Sequence, residues 1–197
     1  MDFLSRSLGA IITPLDLHSS GKNTWPMAET VSHNSEHGSY QQFLDDFQET
    51  IQDASLRLLK LSDEDADKRT TGEWSAKQVL GHLIDSAANN HQRFVRAQFT
   101  NDLVFQSYDG DQWVAAQKYN EQFWPDLIDL WRAYNLHLVR VVSLIPESVR
   151  TQQRKQHNFD QIAFKTIPKT DPTTLEYLIR DYVVHLKYHL DQIWSNT

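Results

Sequence analysis

The 197-residue sequence contains no cysteine. That absence removes disulfides, thiolate metal ligands and a cysteine nucleophile, and leaves histidine, aspartate and glutamate as the strong metal ligands available. A basic stripe is missing as well. The formal net charge is −7 and the isoelectric point near 5.7, which excludes the electrostatic footprint of a nucleic-acid-binding surface. No run approaches the roughly 20 apolar residues that cross a bilayer. The N-terminus carries neither the basic segment nor the long apolar segment of a signal peptide, so the expectation is a cytoplasmic protein with no membrane partner. No internal repeat, low-complexity tract or heptad run is present.

What the chain does have is a core. Hydrophobic residues make up 40%, including six Trp, seven Tyr and nine Phe, a share that argues for tight packing rather than disorder. Residues 1–38 read as an irregular extension with one short apolar run, Leu8 to Ile12, before Pro14. Met27, followed by Ala28 and Glu29, is a candidate start that would make the first 26 residues a leader; the intact mass of protein made from its own locus tests this. Residues 39–197 carry the patterned domain.

Four segments repeat apolar residues at three and four positions. The first runs from Tyr40 through Phe43, Phe47, Ile51, Ala54, Leu58 and Leu61, and the charged stretch 62–72 then reads as a surface connection. The second spans 75–99 and opens on a capping box, Ser75 with Gln78, with Trp74 placed as a hydrophobic staple. The third opens at Trp124-Pro125, proline suiting the first turn, and continues to Leu144. The fourth follows Asp171-Pro172, read as an N-cap and first helical position, and reaches Trp194. The spacing therefore predicts an all-α protein, a four-helix bundle of helices about 30 Å long. Its connections between helices 2 and 3, and between 3 and 4, are longer than a bundle needs. The first of them has a short helix in it, 111–119.

At about 100° per residue, Leu178, Tyr182, His185 and His189 form one stripe of the last helix. His82 lies at the edge of the apolar stripe of the second helix, sharing a face with Ser86, Asn89 and Arg93, whereas His91 points the other way. Three imidazoles brought together between these helices leave a coordination position open, the arrangement of a catalytic rather than a structural site. Such a metal ionises water, polarises an oxygen or activates a thiol. Spacing alone is weak ground, because His33 and His37 stand four apart in the extension too. No glutamate follows His185, so the His-Glu-x-x-His pattern of metalloproteases is absent.

The run 71–75, Thr-Gly-Glu-Trp-Ser, leads to Gly81-His82-Leu83-Ile84-Asp85-Ser86. With Tyr182-Val183-Val184-His185-Leu186-Lys187-Tyr188-His189-Leu190-Asp191-Gln192-Ile193, it resembles the DinB/YfiT-like superfamily, over roughly 40–193. The resemblance implies a four-helix bundle in which His82, His185 and His189 hold a divalent metal, zinc or nickel. It further implies either thiol-dependent S-transfer using a low-molecular-weight thiol or metal-dependent hydrolysis.

Other residues carry two readings each. Arg93, with Asn89, either fixes a carboxylate of a substrate or thiol cofactor or snorkels to solvent. Tyr182 either donates to a substrate or packs in the core. Asp181 either orients the His185 ring or is a solvated surface group. His137 reads as a core-edge histidine rather than a fourth ligand. Trp113, Phe123, Trp124 and Trp131 line a pocket or simply fill the core. No catalytic base is identifiable. The leading expectation is an enzyme whose metal activates a thiol or water against a small electrophilic substrate, thiol transfer placed first. The alternatives are a metal-stabilised binding or sensor module, and apolar faces that make a homodimer.

Overall fold

The computed structural model describes residues 34–69 and 72–195 of the chain. Most of the sequence-defined extension, with Met27 and His33, lies outside the described residues. Among the described residues there is no β-strand, only two isolated bridges, and four long helices form the bundle. They are α1 (Asn34–Leu58), α3 (Ala76–Arg96), α5 (Trp124–Ser143) and α8 (Leu175–Ser195). Shorter helices occupy the connections: α2 (Asp63–Asp67), α4 (Gly110–Gln117), α6 (Glu147–Arg150) and α7 (Phe159–Ile162).

Local chemistry sets the helix starts. The Ser75–Gln78 capping box is present in both directions and opens α3, and Pro125 sits in the first turn of α5. Asp109 caps α4 by accepting the Gln112 amide at 3.0 Å. Three expectations need correction. The first helix begins at Asn34 rather than Tyr40. The stretch 62–72 holds α2, capped by Ser62 and packed through buried Ala66. Asp171-Pro172 does not start the last helix: Thr173 pairs with Arg154, and Thr174 Oγ1 accepts the Tyr177 amide at 3.1 Å where α8 begins. The proline signal was real, but it marks a turn.

The helix directions follow from the ends that meet. Tyr40 donates to the Val142 carbonyl and Trp124 Nε1 to the Leu58 carbonyl, so α1 and α5 run antiparallel. His82 meets His185 while Phe94, three turns on, meets Tyr182, so α3 and α8 are antiparallel. Asp63 binds both Lys77 and the amide of Trp124, so α3 and α5 start at one end and run parallel. Arg180 lies over Phe43 and Arg57 over Trp194, so α1 and α8 run parallel.

This direction pattern explains a connection longer than a simple bundle requires. Helix α3 ends at the opposite end from the start of α5, so residues 97–123 must climb the length of the bundle, about 30 Å for a 20-residue helix. Residues 144–174 join ends on the same side, and their length is spent instead on covering. The two connections are laced together: Asn158 bonds both the amide and the carbonyl of Phe105, and buried Arg154 donates to the carbonyl of Ala97. Between the helices Trp124, Trp131, Phe47, Phe94 and Leu83 are fully buried, each such side chain stabilising the fold by about 1.5–3 kcal/mol.

Candidate metal centre

The second turn of α3 carries His82, and successive turns of α8 carry His185 and His189. Antiparallel packing brings the three to one level. His82 Nε2 lies 3.2 Å from His185 Nε2, and ring centroids are 4.5 to 5.2 Å apart. One ligand nitrogen from each lies within 4.8 Å of the others. Two nitrogens bound to one tetrahedral zinc at 2.0–2.1 Å would be about 3.3 Å apart, so the His82–His185 separation fits a shared ion. Two ring nitrogens at that distance cannot both carry a proton pointing inward.

The rings are held from outside. His189 Nδ1 donates to Gln192 Oε1 at 2.7 Å, which fixes the tautomer and leaves Nε2 with its lone pair free. Ser86 Oγ stands 3.5 Å from His185 Nδ1. His82 Nδ1 is buried with no hydrogen-bond partner. Trp74, the expected staple, lays its ring 5.1 Å from His82, and Phe164 sits 5.3 Å from His185. At Gly110 a Cβ would come within 3.2 Å of the His82 ring, so the start of α4 closes on the site because it has no side chain there.

Burial, and then the neighbouring imidazoles, hold these histidines neutral. The His82 pKa is pushed down to about 4, by burial and by His189. That of His185 is pushed down to about 3, by burial, His189 and His82. Burial lowers that of His189 as well. Neutral imidazoles are what a divalent metal needs, and a donor set of three imidazole nitrogens with no thiolate is one that several divalent transition metals accept.

The remaining sequence candidates divide. Arg93 does not snorkel; it is buried, donating to Gln106 O at 3.1 Å and Asn90 Oδ1 at 3.4 Å. Asn89 turns away, its amide bonded to the Asp85 carbonyl, and lies on an outer groove beside Gln92 and Arg96. Tyr182 is core, with its hydroxyl donating to Asn135 Oδ1 at 2.5 Å between the edges of Phe47 and Phe94. Asp181 is neither surface-solvated nor bound to His185: its two oxygens accept the amides of Phe164 and Lys165 at 2.8 and 2.7 Å. It fastens the loop that lays Phe164 against His185. His137 is exposed and rests on His91. Trp124 and Trp131 are core, whereas Trp113 is partly exposed against Tyr108.

Two residues beside the histidines carried no weight in the sequence, Asn90 and Asp85. Asn90, not Asn89, faces the cavity of about 200 Å³ next to His185, with Ser86, Arg93 and Tyr108. A 100° count cannot separate neighbours on the edge of a stripe. Asp85 is buried and accepts from Tyr119 at 2.7 Å and Gln117 at 2.6 Å, and burial raises its pKa. These bonds clamp the climbing connection onto α3. Tyr119 lies so close that a Cβ at Gly81 would fall 2.1 Å from its ring.

The family model described as the DinB superfamily matches residues 46–193. Among solved structures, the chain is similar to YfiT from Bacillus subtilis, described as a probable metal-dependent hydrolase with an unusual four-helix bundle topology. Identity is 16% with a TM-score of 0.62, over 87% of this chain and 91% of that one. At that identity the likeness is one of fold. No curated protein matches the chain.

Proposed function

The chain belongs to the DinB superfamily, and from that premise we propose that it is an enzyme using a divalent metal on His82, His185 and His189 to activate a small nucleophile. The observation that carries this reading is the cluster itself: three neutral imidazoles, buried or half-buried, of which His185 lines a cavity. Three protein ligands leave a fourth position for water or substrate. When bound, the metal supplies Lewis acidity and a lowered pKa for the nucleophile. The protein's own residues then do three things. Gln192 and Ser86 orient two of the rings, Phe164 and Trp74 exclude bulk water, and the cavity lined by Ser86, Asn90 and Arg93 receives the substrate.

Water is the first nucleophile to test, because the structural relative is described as a probable metal-dependent hydrolase. Thiol S-transfer, which the family resemblance implied, would use the same open position. The test is elemental analysis of untagged full-length protein, then a screen of ester, amide and halide electrophiles with and without low-molecular-weight thiols. One metal per chain with turnover that chelation abolishes supports the proposal. Turnover unchanged by chelation, or no bound metal, refutes it.

A further inference from the structure

The cavity beside His185 has a charge pattern that the imidazoles do not explain. Arg93 and Asp181 both line it, yet they are not an ion pair. Asp181 spends its oxygens on two backbone amides. Arg93 is only 6% exposed, and two of the five N–H donors of its guanidinium reach protein oxygens, both neutral. A buried guanidinium without a counter-charge is costly to keep. Its fork fits a carboxylate in the two-bond geometry.

A continuous polar line joins this cation to the histidines. Arg93 Nη1 lies 3.4 Å from Asn90 Oδ1, Asn90 Nδ2 lies 3.3 Å from Ser86 Oγ, and Ser86 Oγ lies 3.5 Å from His185 Nδ1. The spacing 86, 90, 93 keeps all three on one face of α3. From Ser86 to Arg93 is seven residues, about 10 Å along the axis. Tyr108, with Ser86 and Arg93 beside its phenol, closes the side of the track.

We propose that the cavity takes a small organic carboxylate, its carboxylate seated on Arg93 beside Asn90 and its other end directed along Ser86 toward His185. The carboxylate seat stands on Arg93 alone; the direction of the other end rests on the reading of the three histidines as the reactive centre. A volume of about 200 Å³, the room of six or seven waters at about 30 Å³ each, limits the ligand to a few carbons. A single cation with Asp181 on the same cavity favours a monoanion over a doubly charged phosphate.

The test uses metal-free, full-length protein, titrated by calorimetry with hexanoate and with its neutral counterpart hexanamide. The expected result is saturable hexanoate binding, with hexanamide at least tenfold weaker. Arg93→Met should lose tenfold or more and Arg93→Lys should recover part of it. Equal affinity for the acid and the amide, which needs no variant and no assumption about folding, overturns the proposal. So does full hexanoate affinity in a folded Arg93→Met protein, or the absence of saturable binding. Metal content, measured separately, isolates the two ideas: hexanoate binding by a protein that takes up no metal removes the metal centre and keeps the carboxylate seat, and the reverse result does the opposite.

Discussion

Two histidine clusters flank α3, nine residues apart, and they differ in almost everything but residue type. On one side His82 meets His185 and His189 under Trp74, Gly110 and Phe164. On the other, His91 stands 3.3 Å from the Tyr134 hydroxyl and stacks edge-on with His137 at 4.9 Å. The second cluster has two imidazoles and a phenol on the α3–α5 seam, and His137 is open to water. Proximity of histidines is common to both. What distinguishes the first is a third imidazole, the pair on α8 coming from a helix that runs antiparallel to α3, and two connections that wall the cluster from solvent.

Substitution at the first cluster should have the largest effect. His185→Ala is expected to remove stoichiometric metal, to below about a tenth of an equivalent if three ligands are needed, while His91→Ala keeps the full complement; elemental analysis of untagged protein decides. If His91→Ala lost the metal instead, the assignment of the two clusters would be reversed. Next comes Gly81→Ala. Its Cβ would fall inside the Tyr119 ring contact, and overpacking of that kind costs about 1–3 kcal/mol, read as a lower denaturation midpoint in urea. A midpoint matching the parent would mean that Tyr119 swings free and the roof over α3 is loosely held.

Acid offers a smaller and more selective probe. His82 and His185 have pKa values pushed down to about 4 and about 3 in the fold, against about 6.5 in the unfolded chain. Below pH 6.5 the unfolded state therefore binds more protons, so stability from these groups is full above that pH and is lost as the pH falls toward 3. Metal-free protein should show a falling urea midpoint between pH 7 and 5, with a shallower slope in His82→Ala. A flat profile would contradict the buried, neutral state of the cluster. His91 is also lowered, by burial and by His137, but it is far less enclosed. The smallest effect is expected at His137→Ala, an exposed site where changes usually stay within about 0.5 kcal/mol; a loss above 1 kcal/mol by thermal melting would show that the second cluster holds the α3–α5 seam.

The helices were readable because their signals are local. Ser75 and Gln78 are three residues apart, and Trp124-Pro125 marks a start by the constraint proline places on its own backbone. His82, His185 and His189 were readable as candidates through residue type, face and family resemblance. Asp181 was misplaced because its partners, the amides of Phe164 and Lys165, belong to a connection with no periodic pattern. Asn90 was passed over because the angular count from His82 puts Asn89 on the His82 face, whereas the cavity opens on the side that Asn90 occupies; both amides bond carbonyls of their own helix. The directions of the helices, and so the path of residues 97–123 over His82, depend on contacts between distant segments that no local pattern encodes.

The order in which the chain is made adds a last consequence. His82 and His185 are 103 residues apart, and two of the three imidazoles belong to α8. A growing chain that has released α1, α3 and α5 from the ribosome still presents a single imidazole of the three, too little to retain a metal. On the proposed reading, a metal held by all three is captured only once α8 has emerged and docked, after the earlier long helices are made rather than as a seed for their folding.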